Sequence, residues 1–246
     1  RQRNETKQSF KVMIFFEGEN MTAGYGGADI IKNCNIHVKA GEIVVVIGPN
    51  GAGKSTAMKA MLGMLKLNNG SVKFNNEEIT TMLPQDRVSL GIAFVPQTKN
   101  VFTGMTVEEN LEMGAFLRKD DIQDTINQIY DLFPILKEKR NQNVGELSGG
   151  QRQQVAFGRA LMTKPTILML DEPTAGVSPI VMDDLFTRII EVGKTGVGVL
   201  MVEQNAKQAL GIANRGYVMV NGENRMEGSG KDLLNNPDVR KSFLGG

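Results

Sequence analysis

A phosphate-binding loop is the clearest chemical pattern in the sequence. Residues 48–56 fit the pattern G-x-x-x-x-G-K-[ST] in full: Gly48, Pro49, Asn50, Gly51, Ala52, Gly53, Lys54, Ser55 and Thr56. Glycines let the backbone wrap closely round an anion, so that successive N–H groups point inward at the phosphates. We expect Lys54 to reach the β- and γ-phosphates and Ser55 to ligate Mg²⁺. The alternative, a glycine-rich turn that fits by chance, is weakened by the apolar run before the loop and the helical pattern after it.

Two adjacent carboxylates, Asp171 and Glu172, follow an apolar run at 167–170. A buried strand of this kind places them at the carboxyl edge of a sheet, where α/β proteins bind ligands. We expect Asp171 to hold Mg²⁺ through its shell, and Glu172 to act as general base or to position the attacking water. A strand that ends in Asp-Glu is a weak signal alone, but the upstream phosphate loop makes it strong.

A second glycine-rich segment opens a helical pattern just before these carboxylates. It consists of Leu147, Ser148, Gly149, Gly150 and Gln151. A serine and two glycines at a helix start expose backbone N–H groups and a hydroxyl, which together can bind an anion. Two phosphate sites in one chain make sense if each contacts a different face of a sandwiched nucleotide. The alternative is an ordinary N-capped helix with a flexible glycine pair.

Apolar runs alternate with helical patterns along the chain and predict the elements that position these residues. Strand–helix alternation of this kind favours an α/β fold with a mostly parallel sheet covered by helices. The predicted strands are 12–16, 30–38, 42–47, 167–170, 198–202 and 217–220. The predicted helices are 53–65, one that ends at 162, and those that begin at 180 and 205. A helical stretch at 106–133 is expected to belong to a subdomain inserted into the core.

Composition bounds the class of protein. The chain has 246 residues, 41% of them hydrophobic and 22% charged, which is typical of a globular protein. The formal net charge of +1 gives no electrostatic reason to expect nucleic-acid binding. The single cysteine, Cys34, is expected to be buried, and the single histidine, His37, to be a plain surface residue on the solvated face of its strand. No apolar run approaches the roughly 20 residues that cross a bilayer, so any role at a membrane is expected to be peripheral.

The phosphate loop, the segment LSGGQ at 147–151 and the run ILMLDE at 167–172 resemble, in this order and spacing, the ATP-binding cassette ATPases. The resemblance spans nearly the whole chain. It implies one nucleotide-binding domain over 1–246 with the fold of P-loop NTPases. Such a domain combines a mostly parallel sheet with an antiparallel β subdomain and an inserted helical signalling subdomain, here 98–148. It also implies ATP and Mg²⁺ as cofactors.

The same resemblance implies roles for further residues. Gln97 matches the glutamine that touches Mg²⁺ and the attacking water and signals to a transmembrane partner. Tyr25 lies where the family keeps an aromatic ring that stacks on adenine, although an exposed turn aromatic is the alternative. Ser148, Gly150 and Gln151 would contact the γ-phosphate held by an opposite subunit, so the working unit would be a head-to-tail dimer.

Within this family the chain is most similar to the smaller ATPase of branched-chain and hydrophobic amino-acid importers. The segments that carry the similarity are 101–111, 203–206, 215–218 and 243–246. The expected partners are transmembrane permease subunits and, indirectly, an extracytoplasmic substrate-binding protein, with the chain on the cytoplasmic face of the membrane. The alternatives are a urea or amide importer, a lipopolysaccharide exporter, which segment 175–179 would also suit, and a soluble cassette of translation or DNA repair.

Two positions depart from the pattern of the family. Gln204 stands where most cassettes have a switch histidine, and Ser178 stands where they have an aspartate. Glutamine can donate a hydrogen bond but cannot become cationic. We therefore favour pairing with a non-identical ATPase, in which this chain's own site turns over more slowly. The alternative is that Gln204 replaces the histidine's hydrogen bond in a competent site.

Overall fold

The computed structural model describes residues 16–244, which form two sheets and a set of helices. The strands are β1 (Phe16–Tyr25), β2 (Ala28–Val38), β3 (Ile43–Ile47), β4 (Asn69–Phe74), β5 (Glu77–Glu78), β6 (Ile92–Val95), β7 (Ile167–Asp171), β8 (Gly198–Val202), β9 (Arg215–Val220) and β10 (Glu223–Ser229). The helices are α1 (Lys54–Met61), α2 (Pro84–Ser89), α3 (Val107–Gly114), α4 (Gln123–Leu132), α5 (Pro134–Glu138), α6 (Gly149–Leu161), α7 (Pro179–Lys194), α8 (Ala206–Ile212), α9 (Gly230–Asn235) and α10 (Pro237–Phe243), with a 3₁₀ helix at Val144–Glu146.

A six-stranded sheet forms the centre of the molecule, with the order β10-β9-β3-β8-β7-β6. Its strands run parallel from β9 to β6, and β10 pairs antiparallel with β9. The three central strands, β3, β8 and β7, are buried along their whole length. Covered parallel strands need apolar side chains on both faces, which is why their sequences are continuous apolar runs. The predicted α/β class is confirmed.

Alternate residues of the central strands point into two different hydrophobic cores. In β3, Val44 and Val46 belong to the core that contains α1 and the antiparallel sheet, whereas Val45 and Ile47 belong to the core that contains α6 and α7. This alternation follows from the two-residue period of a strand. The sheet is therefore held from both sides, and the loops at its carboxyl edge have a fixed base.

The second sheet is antiparallel, with the order β2-β1-β4-β5. It confirms the antiparallel β element that the family resemblance implied. The predicted strand at 12–16 lies outside the described residues except for Phe16, which begins β1. The predicted strand at 30–38 corresponds to β2, and both β1 and β4 went unpredicted because their sequences are polar and interrupted by glycine.

The region between β6 and α6 is helical, and it holds α3, α4 and α5. Thr106 caps α3 through a capping box with Glu109, so that each residue's side chain accepts a hydrogen bond from the other's backbone N–H. The fully buried Asn110 holds the preceding loop, because its amide donates to the carbonyls of Phe102 and Thr106. The predicted helical stretch at 106–133 corresponds to α3 and α4.

Two smaller expectations need correction. Helix α1 ends at Met61 and not at 65, because the chain turns at Gly63, whose φ is +81°. His37 follows the predicted alternation but is half-buried and not a plain surface residue, since its ring contacts Arg215 and the Tyr217 hydroxyl. In residues 16–244 no helix is long and apolar enough to span a membrane.

Candidate functional site

The phosphate loop leaves the carboxyl end of β3 and leads directly into α1, as predicted. Gly48 has a φ of +153°, and a Cβ there would lie 2.2 Å from the Met219 carbonyl oxygen. Gly53, at the N-cap of α1, has a φ of +92°, and a Cβ there would lie 2.8 Å from the Ile31 side chain. Both positions therefore require glycine for space as well as for conformation. We expect these two glycine conformations to let the N–H groups of the loop face a common anion.

Lys54 opens α1 and turns its side chain back over the loop. Its Nζ donates to the carbonyl oxygens of Gly48, at 2.9 Å, and Pro49, at 3.2 Å. Burial lowers the pKa of Lys54 below its ordinary value of 10.5, while the charges of Glu172, Asp171 and Glu203 act in the opposite direction. The ammonium therefore lies in the loop with three carboxylates as its electrostatic surroundings.

Ser55 and Asp171 meet at the bottom of the site. The Ser55 hydroxyl donates to Asp171 Oδ1 at 2.7 Å, which joins the start of α1 to the end of β7. Asp171 is the last residue of its strand and is 6% exposed. A hydroxyl and a carboxylate at this distance form an all-oxygen donor set of the kind that Mg²⁺ accepts beside phosphate oxygens. The predicted Mg²⁺ ligands Ser55 and Asp171 therefore fit the ion chemically.

Glu172 leaves the line of its strand, because its φ is +48°. This left-handed conformation costs about 1–2 kcal/mol for a residue with a Cβ. The Glu172 N–H donates to the Val202 carbonyl at 2.9 Å, and its Oε2 accepts from the Gln97 amide at 2.8 Å. Strained backbone of this kind clusters at functional sites. Gln97, predicted from the family resemblance, thus lies in contact with the predicted base.

Gln204 follows β8 on the other side of the loop. Its side-chain amide donates to Asn50 Oδ1 at 3.0 Å. Asn50 lies in the phosphate loop, so this bond joins the loop after β8 to the phosphate loop.

Most of these residues line one cleft of about 450 Å³, a size typical of small-molecule sites, and Asp171 adjoins it through its bond to Ser55. Its lining residues are Ile30, Asn50, Gly51, Ala52, Gly53, Lys54, Ser55, Thr56, Gln97, Glu172 and Gln204. A more apolar cavity of about 400 Å³ lies near the starts of β7 and β8, lined in part by Ile129, Leu161 and Val192. None of the predicted site residues lines that cavity, so the polar cleft is the candidate functional site.

The structure does not bring every predicted residue to the cleft. Tyr25 ends β1 beside the turn to β2, is half-exposed, and is not among the lining residues. Ser148 caps α6, and its hydroxyl accepts from the Gln151 N–H at 3.3 Å, while Gln151 Oε1 accepts from the Ser148 N–H at 3.1 Å. Gly149 is exposed and Gly150 is buried. The predicted roles of these residues stay predictions.

One residue pair at the site was missed by sequence reasoning. Glu203 and Thr174 are 2% and 4% exposed, and they are joined by hydrogen bonds beside Glu172 and Gln204. In the sequence, Glu203 belongs to a segment shared with the amino-acid importers, and that segment predicts no role for it in the site. A carboxylate directly after a fully apolar strand was the available signal, the same one that pointed to Asp171.

The fold and the site define a class. A phosphate loop between a buried parallel strand and a helix, with its serine bonded to a carboxylate at the end of another strand of the same sheet, is the arrangement of a P-loop nucleotide-binding ATPase. A sequence profile of the family described as ABC transporter matches residues 31–175. The chain belongs to this family as its ATP-hydrolysing cassette.

Individual proteins resemble the chain over almost its whole length. The high-affinity branched-chain amino acid transport ATP-binding protein BraG of Pseudomonas aeruginosa is 43% identical, covering 93% of this chain and 98% of BraG. The probable branched-chain amino acid transport ATP-binding protein LivF of Archaeoglobus fulgidus is 39% identical, covering 92% of this chain and 96% of LivF. A crystal structure of the ADP conformation of MJ1267, an ATP-binding cassette of an ABC transporter, superposes with a TM-score of 0.85 at 32% identity. The superposition covers 95% of this chain and 100% of MJ1267.

Proposed function

We propose that this chain is the ATPase subunit of a transporter that imports branched-chain or other hydrophobic amino acids. The names of BraG and LivF support this cargo, together with the importer-like segments at 101–111 and 203–206. The observation that carries the catalytic part is the contact of Gln97 with Glu172 beside the Ser55–Asp171 pair in one cleft.

The phosphate loop would bind the phosphates of ATP through its backbone N–H groups and the N-terminus of α1. Lys54 would exchange its two carbonyl contacts for the β- and γ-phosphate oxygens, which are stronger acceptors. Ser55 and Asp171 would hold Mg²⁺, with Gln97 as a further ligand. When bound, the ion would neutralise negative charge on the phosphate oxygens of ATP.

Glu172 would accept a proton from the water that attacks the γ-phosphorus, while the bond to the β-phosphate oxygen breaks. The products are ADP and inorganic phosphate. Gln204 would donate its amide hydrogen bond to a γ-phosphate oxygen in place of Asn50. Most of the catalysis would come from this positioning and from electrostatic stabilisation of the transferring group.

The second half of the site would come from a partner ATPase. Ser148, Gly149, Gly150 and Gln151 open α6 outside the cleft of their own chain. In keeping with the family resemblance, they would contact the γ-phosphate held by an opposite subunit. Tyr25, at the end of β1, would stack on the adenine ring. We favour a non-identical partner because Gln204 cannot carry the charge of a histidine.

The cassette would lie on the cytoplasmic face of the membrane. It would be bound to permease subunits that receive cargo from an extracytoplasmic binding protein. Residues 98–148, which contain α3, α4 and α5, would form the helical subdomain that signals to the permease. Movement of Gln97 with this region would connect the permease to Glu172, because the two side chains are already hydrogen-bonded.

The test is ATP hydrolysis by the assembled transporter in proteoliposomes, with leucine and its binding protein added or omitted. We expect Mg²⁺-dependent hydrolysis that rises with cargo, accompanied by leucine uptake. Changing Glu172 to Gln should lower turnover by at least about 100-fold, since a general base contributes about 10²–10⁴. If hydrolysis is stimulated by urea or lipopolysaccharide and not by hydrophobic amino acids, the proposed cargo is wrong.

A further inference from the structure

The loop after β7 and the loop after β8 are joined by one buried side chain. Glu203 Oε1 accepts from the Thr174 N–H at 3.0 Å and from the Thr174 hydroxyl at 2.8 Å. Glu203 Oε2 accepts from the Gln204 N–H at 3.1 Å. The backbone N–H of Glu203 donates to the Val46 carbonyl at 3.2 Å, so the residue is also fixed to the strand that leads into the phosphate loop.

Each of these bonds lies close to a residue that faces the nucleotide cleft. Thr174 is separated from Glu172 only by Pro173, whose ring fixes φ and stiffens the connection. The Ala175 N–H donates to the Glu172 carbonyl at 3.0 Å, which closes the turn around this short segment. Gln204 directly follows Glu203, so its backbone position is set by the bond to Oε2.

The side chains of Glu172 and Gln204 have separate partners. Glu172 bonds to Gln97, and Gln204 bonds to Asn50. The distance between the two side chains is therefore set by their backbones, which the bond from the Glu172 N–H to the Val202 carbonyl joins at the strand ends and the Glu203 carboxylate joins in the loops beyond them. We propose that Glu203 is a positioning residue of the ATPase reaction, which holds Glu172 and Gln204 at a fixed separation across the γ-phosphate.

The chemistry of the link suits a carboxylate. The Glu203 carboxyl accepts hydrogen bonds from Thr174 and Gln204, and its ionised form can accept them without an O–H group that would itself need an acceptor. Burial raises the pKa of Glu203, and the bonds from Thr174 and Gln204 act in the opposite direction. A buried charge is retained only where it is satisfied, so these donors account for the presence of the carboxylate here.

Glutamine at position 203 tests the link with almost no change in shape. It has a single acceptor oxygen, so it can keep Thr174 or Gln204 as a partner but not both, and its NH₂ group must face a donor. This inference rests on the proposed ATPase function, so wild-type hydrolysis is measured beside each variant. We expect Glu203→Gln in the assembled transporter to lower kcat by about 10- to 100-fold, the cost of small misplacement of reacting groups. The KM for ATP should change less than about twofold, because the phosphate loop is untouched.

Two further substitutions separate positioning from loss of fold. Thr174→Val removes only the 2.8 Å hydroxyl bond and should lower kcat by a smaller factor, while Thr174→Ser keeps that hydroxyl and should restore the wild-type rate. The matched control is Glu42→Gln directly before β3, where a carboxylate that is 14% exposed accepts from Arg215 and from the Lys39 N–H. This change should lower the melting temperature and leave kcat unaltered.

The outcomes are distinct. If the wild-type transporter does not hydrolyse ATP, the proposed function fails. If it does, and Glu203→Gln turns over at the wild-type rate, or if Glu42→Gln loses as much kcat at equal stability, the positioning role fails. If Glu203→Gln does not fold, Thr174→Val decides, and an unchanged kcat in that variant overturns the inference. Faster amide hydrogen exchange at Thr174 and Gln204 in a folded Glu203→Gln chain would support it.

Discussion

Two glycine-rich segments each begin a helix, and their surroundings differ. The N-terminus of α1 has Gly53 as its cap, which offers no side chain to its free N–H groups. The N-terminus of α6 has Ser148 and Gln151 as a reciprocal capping box. The first lies in a cleft with a lysine and carboxylates, whereas the second lies outside that cleft. The N–H groups of the α1 terminus have no side-chain cap and are free to bind a phosphate, whereas two N–H groups at the α6 terminus are already satisfied by the capping box.

The largest effect should come from removing the charge at the first terminus. Lys54→Ala should weaken ATP binding by roughly two orders of magnitude, since hydrogen bonds to charged groups contribute about 1.5–3 kcal/mol each. Fluorescence titration of the purified chain with labelled ATP measures it. Lys59→Ala on the same helix is the control and should bind normally. Equal affinities in the two variants would contradict the assignment of the cleft.

A cap substitution at the second terminus should separate catalysis from stability. Ser148→Ala and Ser229→Ala each remove one N-cap, at the start of α6 and α9, and each should destabilise the fold by about 1 kcal/mol. Only Ser148→Ala should also lower kcat of the assembled transporter, by at least about tenfold, because we propose that the Ser148 hydroxyl donates to the γ-phosphate of the opposite site. ATP affinity of the isolated chain should stay unchanged in both. Equal kcat values would leave Ser148 as a cap alone.

A smaller effect is expected at Gln204, in the site that the α1 terminus of this chain and the α6 terminus of a partner subunit would share. Gln204→His would replace the proposed amide hydrogen bond by one that is charged when the imidazole is protonated, a gain of about 1 kcal/mol or roughly fivefold in kcat. Steady-state ATPase assays of the assembled transporter measure it. If turnover does not rise while Glu172→Gln abolishes all hydrolysis, the Gln204 site is fully competent and the unequal pairing is wrong.

The smallest effect should come from a residue distant from both termini. Burial, with the charge of Arg215, lowers the pKa of His37 below its ordinary value of 6.5. The unfolded chain then binds more protons just below pH 6.5, so this contribution to stability is complete above pH 6.5 and is lost as the pH falls. NMR titration of the single histidine measures the pKa. The free energy of unfolding should change less between pH 5.5 and pH 7.5 in His37→Gln than in the wild-type chain. The kcat of the variant should equal that of the wild type.

Residues that carry motifs or continuous apolar runs could be predicted from sequence, and others could not. The strands β3, β7 and β8 are buried on both faces, so their apolar runs gave their positions almost to the residue. Strand β1 contains register shifts that break its alternation, and helix α2 has only six residues. The fully buried Arg87 of that helix bonds to the carbonyls of Met61, Thr80 and Met82, a tertiary arrangement without a local pattern.

The same contrast holds within the site. Lys54, Ser55, Asp171 and Glu172 came from local patterns with a known mechanism, and the cleft contains or adjoins all of them. The partnership of Glu203 with Thr174 joins residues 29 positions apart in the chain. Such a bond depends on which strands are neighbours in the sheet. The apolar runs predicted the positions of the strands, but they could not predict which side chains bond to each other in the loops that follow the strands.

Cys34, the single cysteine of the chain, is fully buried in β2. Burial raises the pKa of its thiol to about 12, so almost none of it is the reactive thiolate at neutral pH. Fluorescent maleimides should therefore leave the wild-type chain unlabelled. Cysteines introduced at the exposed positions Met113 and Leu83 could each carry a dye without removal of the native one. The distance between α3 and the segment before α2 then becomes measurable, molecule by molecule, while the transporter turns over.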